Sequence, residues 1–181
     1  LAVKVAPGLA DELVPAGSEF EVVSVNGQVV EGALYRGALR QGAATRRATL
    51  LPEGITITDH DLSEDPPPVA SIGRYLWEPN AAVIRAGLVG VVVQQVRGAL
   101  IDPQIAYVTT DHDVSCGLAT RYEVTDVLPF NLKKLRDLLR DDGDREKLIE
   151  QQTGHAIERL AIALFEGVDE AFVGRDQDDA G

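Results

Sequence analysis

The charge balance of this 181-residue chain excludes several classes of protein before any motif is considered. The chain has 29 acidic and 17 basic residues, and its net charge of −12 argues against a general nucleic-acid binder, which must neutralise phosphates. The single cysteine excludes an internal disulfide and predicts a reducing, cytoplasmic compartment. No apolar run is long enough to predict a membrane span, and the 45% hydrophobic fraction is typical of one ordinary globular domain.

Residues 1–58 are predicted to be rich in β-strands. Asn26-Gly27 lies between two strand-like runs and tolerates the positive φ angles of a type I′ turn, so it predicts a hairpin. A second strand pair surrounds Pro52-Glu53-Gly54. Because the chain opens directly in a strand-like run, we expect it to be truncated relative to its gene product. The five predicted strands are residues 1–6, 20–25, 28–35, 46–51 and 55–58.

The middle of the chain predicts a linker followed by a long helix. Residues 59–72 are acidic and contain three consecutive prolines, which favours a stiff linker and a domain boundary. Pro79 disfavours helical conformation in Glu78, and Asn80 can cap a helix that begins after it. Residues 80–97 are apolar at nearly every position, so we expect one continuous helix that is buried on most sides.

The rest of the chain predicts a small α/β unit. Strands are expected at 105–109 and 119–128, with a polar loop at 110–117 between them. Residues 131–140 form an amphipathic helix pattern, with leucines on one face and basic residues on the other. A further helix is expected at 144–166, and residues 174–181 are expected to be disordered.

Most familiar catalytic and binding motifs are absent from the sequence. It has no glycine-rich phosphate loop and no Gly-x-Ser-x-Gly nucleophile elbow. The triplets 59–61 and 111–113 each place a histidine between two aspartates, but neither has a second ligand at metal-site spacing, so we interpret both as solvated turns. Cys116 has no evident partner to lower its pKa and is interpreted as a structural thiol. We therefore predict no catalytic, cofactor-binding or metal-binding residue.

Aromatic and basic residues in the central region could bind single-stranded RNA. Aromatic rings stack on unpaired bases, and Arg or Lys side chains contact phosphates. The alternative is structural: the aromatic pair packs over the start of the helix, and the basic helix face is solvated. The stacking candidates are Tyr75 and Trp77. The phosphate-contact candidates are Arg74, Arg85, Arg121, Lys133, Lys134, Arg136 and Arg140.

Several separate segments also resemble one protein family. Residues 73–88, 100–109 and 122–135 resemble the THUMP-like domain that follows the catalytic domain in a group of bacterial class I S-adenosylmethionine-dependent methyltransferases. The N-terminal segments resemble the end of the methyltransferase domain of the same proteins. They are residues 3–9, 13–15, 21–25, 30–34 and 46–52.

The resemblance implies an α/β (α+β) fold, in which an antiparallel hairpin remnant of a Rossmann-like methyltransferase sheet precedes a small THUMP-like domain. The implied division is 1–58, linker 59–72, THUMP-like domain 73–143 and an acidic helical extension 144–181. The cofactor-binding half of the family's catalytic domain has no counterpart here, and neither does the closing strand that usually follows the basic helix.

The implied function is a non-catalytic, RNA-positioning accessory region of a methyltransferase. S-adenosylmethionine would then bind only in the full-length parent, and the implied partners are RNA and the missing N-terminal half. A non-catalytic protein–protein interaction or dimerisation module, present as a homo-oligomer, is the alternative. It is motivated by the acidic tail and by the apolar surface of the 80–97 helix.

Overall fold

The computed structural model describes residues 1–129, 161–164 and 170–176. Within these ranges the chain forms a five-stranded sheet, a six-stranded sheet and two short α-helices. This confirms the predicted mixed α/β class. In the described ranges, no helix has the length and apolar character needed to cross a membrane.

The first sheet is built from the N-terminal strands and has the order β1-β3-β2-β4-β5. The predicted hairpin is confirmed, because β2 and β3 pair antiparallel across Asn26 and Gly27, whose φ angles are 50° and 77°. The predicted pairing around Pro52 is also confirmed, but the parallel pairing of β2 with β4 was not predicted from the residue pattern. The strands are β1 (Ala2–Val5), β2 (Ser18–Val25), β3 (Gln28–Arg36), β4 (Arg46–Leu51) and β5 (Ile55–Thr58).

A buried ion pair fixes the connection between β3 and β4 to the first sheet. Glu19 on β2 is fully buried, and its Oε1 lies 2.5 Å from Nε of Arg47 on β4. The other carboxylate oxygen accepts a hydrogen bond of 2.7 Å from the backbone N–H of Gln41 in the connection. Arg47 in turn donates to the Gln41 carbonyl at 3.1 Å. Both charges are therefore compensated in a site with little access to water.

The second sheet has the order β10-β11-β9-β6-β8-β7. Its central strand β6 was not predicted, because the sequence Tyr-Leu-Trp-Glu-Pro was interpreted as the approach to a helix. Strand β7 was also missed, whereas β8 and β9 confirm the strands expected at 105–109 and 119–128. The strands are β6 (Tyr75–Pro79), β7 (Ala99–Asp102), β8 (Ile105–Thr110), β9 (Ala119–Pro129), β10 (Ala161–Leu164) and β11 (Glu170–Asp176).

The expected continuous helix over 80–97 is wrong, because the chain forms two helices, α1 (Ala81–Arg85) and α2 (Val89–Val96). Gly87, with a φ of 73°, adopts the left-handed conformation that ends a helix, and α2 starts again two residues later. The predicted cap is confirmed, since the side chain of Asn80 accepts a hydrogen bond of 2.9 Å from the N–H of Ala82.

The C-terminal expectations require two corrections. The helix expected at 144–166 is wrong at 161–164, which form β10, and the disorder expected at 174–181 is wrong for 174–176, which belong to β11. Strand β11 pairs antiparallel with β9 and satisfies backbone groups that would otherwise form an open sheet edge. The segment that was expected to be a helical extension thus supplies two strands of the second sheet. The predicted helix at 131–140 lies outside the described residues.

One hydrophobic core joins the two sheets. Phe20 and Val22 of the first sheet share a buried cluster with Trp77 and Val108 of the second. Helix α1 packs against β2, β3 and β4, and α2 packs against β8. The helices therefore contribute to the contact between the sheets. The division of the chain at 59–72 stays a prediction.

Removing the buried carboxylate of Glu19 should destabilise the fold strongly. We expect Glu19→Ala to lower the free energy of unfolding by about 3 kcal/mol, because Arg47 would remain buried without its partner. Urea denaturation at pH 7 measures the change. The exposed pair Lys4–Glu31, with N–O distance 3.0 Å, provides the control, and Glu31→Ala should cost less than about 1 kcal/mol. Equal losses in the two variants would contradict this interpretation.

Candidate functional site

A large groove lies where the two sheets meet, with a volume of about 1030 Å³. On one side it is lined by Gly27, Leu50 and Glu53, which stand at the ends of the parallel strands β2 and β4. The other side consists of residues 77–81, Ile84 and residues 113–121. Ligands of α/β proteins bind outside the carboxyl ends of parallel strands, so the position and the size of this groove suit a small-molecule site.

Trp77 is the largest side chain among the groove-lining residues. Its position on β6 leaves only 2% of its surface exposed. Among the described residues, no hydrogen-bond acceptor meets its indole Nε1–H. Buried indole N–H groups usually have a partner, so this donor is unusual.

Tyr75 and Trp77, the two predicted stacking residues, are buried, and their role in stacking stays a prediction. Each ring is 2% exposed and belongs to the shared core, so neither offers an open face. The observed arrangement is closer to the structural alternative, in which the two side chains pack inside the protein. They lie on the central strand β6, however, and do not pack over the start of a helix.

Arg121 holds one wall of the groove in place. Its Nη1 donates to Oδ1 of Asp113 at 2.6 Å and to the carbonyl of Val114 at 3.0 Å. The guanidinium carbon lies 5.1 Å from the ring centroid of Tyr75 and 5.7 Å from that of Trp77. These contacts tie the loop between β8 and β9 to the central strand. The guanidinium of Arg121, which was predicted to contact phosphate, therefore already has partners within the chain.

The other described phosphate-contact candidates are not brought together at the groove. Nη2 of Arg74 forms an ion pair of 3.0 Å with Glu123, and this hydrogen bond raises the pKa of Arg74 above its ordinary value. Arg85 is exposed at the end of α1. The remaining four candidates, Lys133, Lys134, Arg136 and Arg140, lie outside the described residues, so the set as a whole stays a prediction.

The two Asp-His-Asp triplets have structural partners. Asp111 accepts a hydrogen bond of 2.8 Å from the N–H of Arg74, and Asp113 binds Arg121. Asp59 accepts hydrogen bonds from Thr45, and Asp61 forms a capping box with Thr58. No group of three or more potential metal ligands occurs in the described part of the chain.

Burial raises the pKa of two partly buried side chains, the thiol of Cys116 and the phenol of Tyr107. Burial raises the pKa of the Cys116 thiol, whose Sγ donates to Oε1 of Gln95 at 3.2 Å, and this agrees with a structural thiol.

Burial, together with the nearby carboxylate of Glu78, raises the pKa of Tyr107. Glu78 also accepts a hydrogen bond of 3.2 Å from the phenol of Tyr122. The spacing of Glu78, Tyr107 and Tyr122 in the sequence does not indicate that they lie close together, because they belong to three different strands.

Comparison with known proteins identifies methyltransferases as relatives. In an alignment of 153 residues that covers 81% of the chain, it is 35% identical to uncharacterised S-adenosylmethionine-dependent methyltransferases from two strains of Mycobacterium tuberculosis, CDC 1551 / Oshkosh and ATCC 25618 / H37Rv. The match covers 41% of each relative, so the chain spans about two fifths of the length of the curated relatives it matches. No protein-family model matches the chain.

A solved structure extends the comparison to the fold. The crystal structure of a candidate methyltransferase from Porphyromonas gingivalis W83 aligns with a TM-score of 0.70 over 98% of this chain and 51% of the other. The sequences are only 18% identical, so this match concerns the fold alone. Together, the relatives and the solved structure support the methyltransferase resemblance that the sequence motifs indicated.

The predicted function must be corrected in the light of these relatives. The chain was expected to be a non-catalytic, RNA-positioning accessory region or, alternatively, a non-catalytic interaction module. Both expectations are wrong, because the proteins that match over 81% of the chain are themselves methyltransferases. The chain is thus methyltransferase-like over most of its length. The sequence motifs pointed to methyltransferases, the class to which the relatives belong, but assigned this chain the wrong part in such a protein.

The carboxylate of Asp59 should make stability depend on acidic pH. Burial alone would raise its pKa, but hydrogen bonds from Thr45 and from the N–H of Arg46 together lower it below the ordinary value of 3.8. Its contribution is therefore present above the unfolded-state pKa and is lost as pH falls through the folded-state value. We expect Asp59→Asn to cost about 1 kcal/mol at pH 7, and this cost should shrink at pH 2.

Urea denaturation at the two pH values tests this expectation. The exposed Asp65 serves as the control, and Asp65→Asn should follow the wild-type protein at both pH values. If Asp59→Asn lost the same free energy at pH 7 and at pH 2, ionisation of Asp59 would not be the cause.

Proposed function

We propose that this chain forms part of the methyl-transfer unit of an S-adenosylmethionine-dependent methyltransferase, with the groove between the sheets as its ligand site. The single observation that carries the proposal is the match to methyltransferases over 81% of the chain. The parallel pair β2–β4 provides the structural support, because the groove lies at its carboxyl end. In this proposal the first sheet represents the edge of a Rossmann-like sheet, and the second corresponds to the THUMP-like domain.

The residues present in the groove fit an adenosine-containing cofactor. Leu50 and Ile84 supply an apolar wall, and Glu53 offers an acceptor for hydroxyl or amino groups. S-adenosylmethionine, when bound, would supply an electrophilic methyl group. The role of the chain's own residues is to orient the ligand and to exclude water from it.

This function predicts saturable binding of S-adenosylmethionine and formation of S-adenosylhomocysteine when a methyl acceptor is present. Calorimetry measures the binding, and release of labelled S-adenosylhomocysteine from methyl-acceptor mixtures of total RNA or total protein measures the reaction. Ser115→Phe should weaken binding about tenfold or more, because Ser115 is an exposed loop residue that lines the groove.

Ser63→Phe is the matched control, since Ser63 is exposed and lies outside the groove. It should bind like the wild-type chain. Absence of cofactor binding and of S-adenosylhomocysteine formation would contradict the proposed function. Equal effects of the two Ser→Phe changes would instead show that the groove is not the site.

A further inference from the structure

We propose that Arg85 binds an oxyanion of the methyl acceptor, a phosphate or a carboxylate group, at the carboxyl edge of the first sheet. The neighbouring residue Ile84 lines the groove, so this site lies beside it. The inference deepens the proposed function and rests on it, because it adds a negatively charged group to the ligand expected there. Phosphate and carboxylate both present paired oxygen atoms that match the N–H fork of a guanidinium.

A glycine makes room for the guanidinium of Arg85. A Cβ atom placed on Gly8 would lie 2.9 Å from Nη1 of Arg85, which is too short for a carbon contact. The guanidinium therefore lies against the backbone of the turn after β1, in which the N–H of Leu9 donates to the carbonyl of Ala6 at 3.1 Å. Although Arg85 is exposed, this contact limits the positions that its side chain can adopt. Less conformational entropy is then lost when an anion binds.

A second glycine places this turn at the carboxyl edge of the first sheet. Strands β1 and β2 both pair antiparallel with β3, so they run parallel to each other. The chain that leaves the carboxyl end of β1 passes over Gly32 of β3, where an added Cβ would lie 2.9 Å from Cα of Pro7. Residues 6–9 and Arg85 therefore lie at the sheet edge where ligands of α/β proteins bind, and the groove lies at the same edge.

The charge of Arg85 is not compensated within residues 1–129, 161–164 and 170–176. In these ranges its guanidinium forms no ion pair and donates no hydrogen bond, although the chain has 29 acidic and 17 basic residues. A guanidinium carries five N–H donors and no acceptor, so an oxyanion from outside the chain suits it. By contrast, four other arginines each pair with a carboxylate: Arg46, Arg47, Arg74 and Arg121.

Anion titrations followed by nuclear magnetic resonance test the site directly. In the ¹⁵N-labelled full chain, inorganic phosphate or acetate should move the Nε–H peak of Arg85 and the amide peak of Gly8 saturably. Chloride at the same ionic strength should leave both peaks in place. A larger response to inorganic phosphate identifies a phosphate group on the methyl acceptor, and a larger response to acetate identifies a carboxylate. Either result supports the proposal.

Two variants that lose the same charge distinguish this site from general electrostatic attraction. Arg85→Gln should weaken binding of the responding anion about tenfold or more, because charge-assisted hydrogen bonds are lost. Arg97→Gln is the matched control and should bind like the wild-type chain. Arg97 is also exposed and forms no ion pair in the described part of the chain, but it lies at the end of α2.

Gly8→Ala tests the contact that positions the guanidinium. This change keeps every charge, and the φ angle of Gly8 is not positive, so alanine is not strained there. The added methyl group would occupy the space next to Nη1 of Arg85, and binding should weaken about threefold or more. Circular dichroism checks that each variant folds, and the titrations of the wild-type chain do not depend on them.

Several results would overturn the inference. Equal losses in Arg85→Gln and Arg97→Gln would do so, and so would equal responses to chloride and phosphate. If Arg85→Gln weakened the binding of S-adenosylhomocysteine as strongly as that of phosphate, the oxyanion would be the carboxylate of the cofactor and not a group of the acceptor. If S-adenosylhomocysteine forms but neither peak moves with any anion, this inference fails while the proposed function stands. An anion response that depends on Arg85, without any S-adenosylhomocysteine formation, would contradict the proposed function alone.

Discussion

Burial of Trp77 on the central strand β6 is the constraint on which the rest of the structure depends. The indole belongs to a core that also contains Phe20 from the first sheet and Val92 from α2. Burying a side chain of this size contributes several kcal/mol, and removing such a group from a core usually costs about 3–5 kcal/mol. Since the same residue lines the groove, the packing that joins the sheets also forms the candidate site. Arg121 extends this arrangement by fixing the loop after β8 against the two aromatic rings of β6.

Local signals in the sequence were sufficient to predict several structural elements. Asn26-Gly27 predicted the hairpin because few residue pairs accept two positive φ angles, and Asn80 predicted a helix start because its side chain can accept a backbone hydrogen bond. The break at Gly87 was not predicted. A glycine within an apolar run can either remain helical or end the helix, and tertiary packing decides between these outcomes. The strands after residue 160 were missed because a charged segment gave a helical pattern, whereas pairing with β9 is a long-range contact.

The groove could not be derived from the sequence for a similar reason. Gly27 and Glu53 reach it from two turns of the first sheet, while Trp77 and Arg121 reach it from the second. Nothing in the spacing of these residues shows that β2 and β4 run parallel, and it is this pairing that brings the two turns together. The family resemblance supplied the class of enzyme, which the relatives support. The resemblance assigned this chain a non-catalytic accessory role. The comparison with methyltransferases that match over 81% of the chain corrected that assignment.

Denaturation followed by two probes tests most directly whether the two sheets share one core. Fluorescence of the single tryptophan reports on Trp77 at the junction, and far-UV circular dichroism reports on all strands and helices. If the two sheets form one cooperative unit, the two probes should give coincident transitions in urea. Loss of the native Trp77 signal at a lower urea concentration than the loss of secondary structure would contradict this account, because the sheets would then be able to separate while each remained folded.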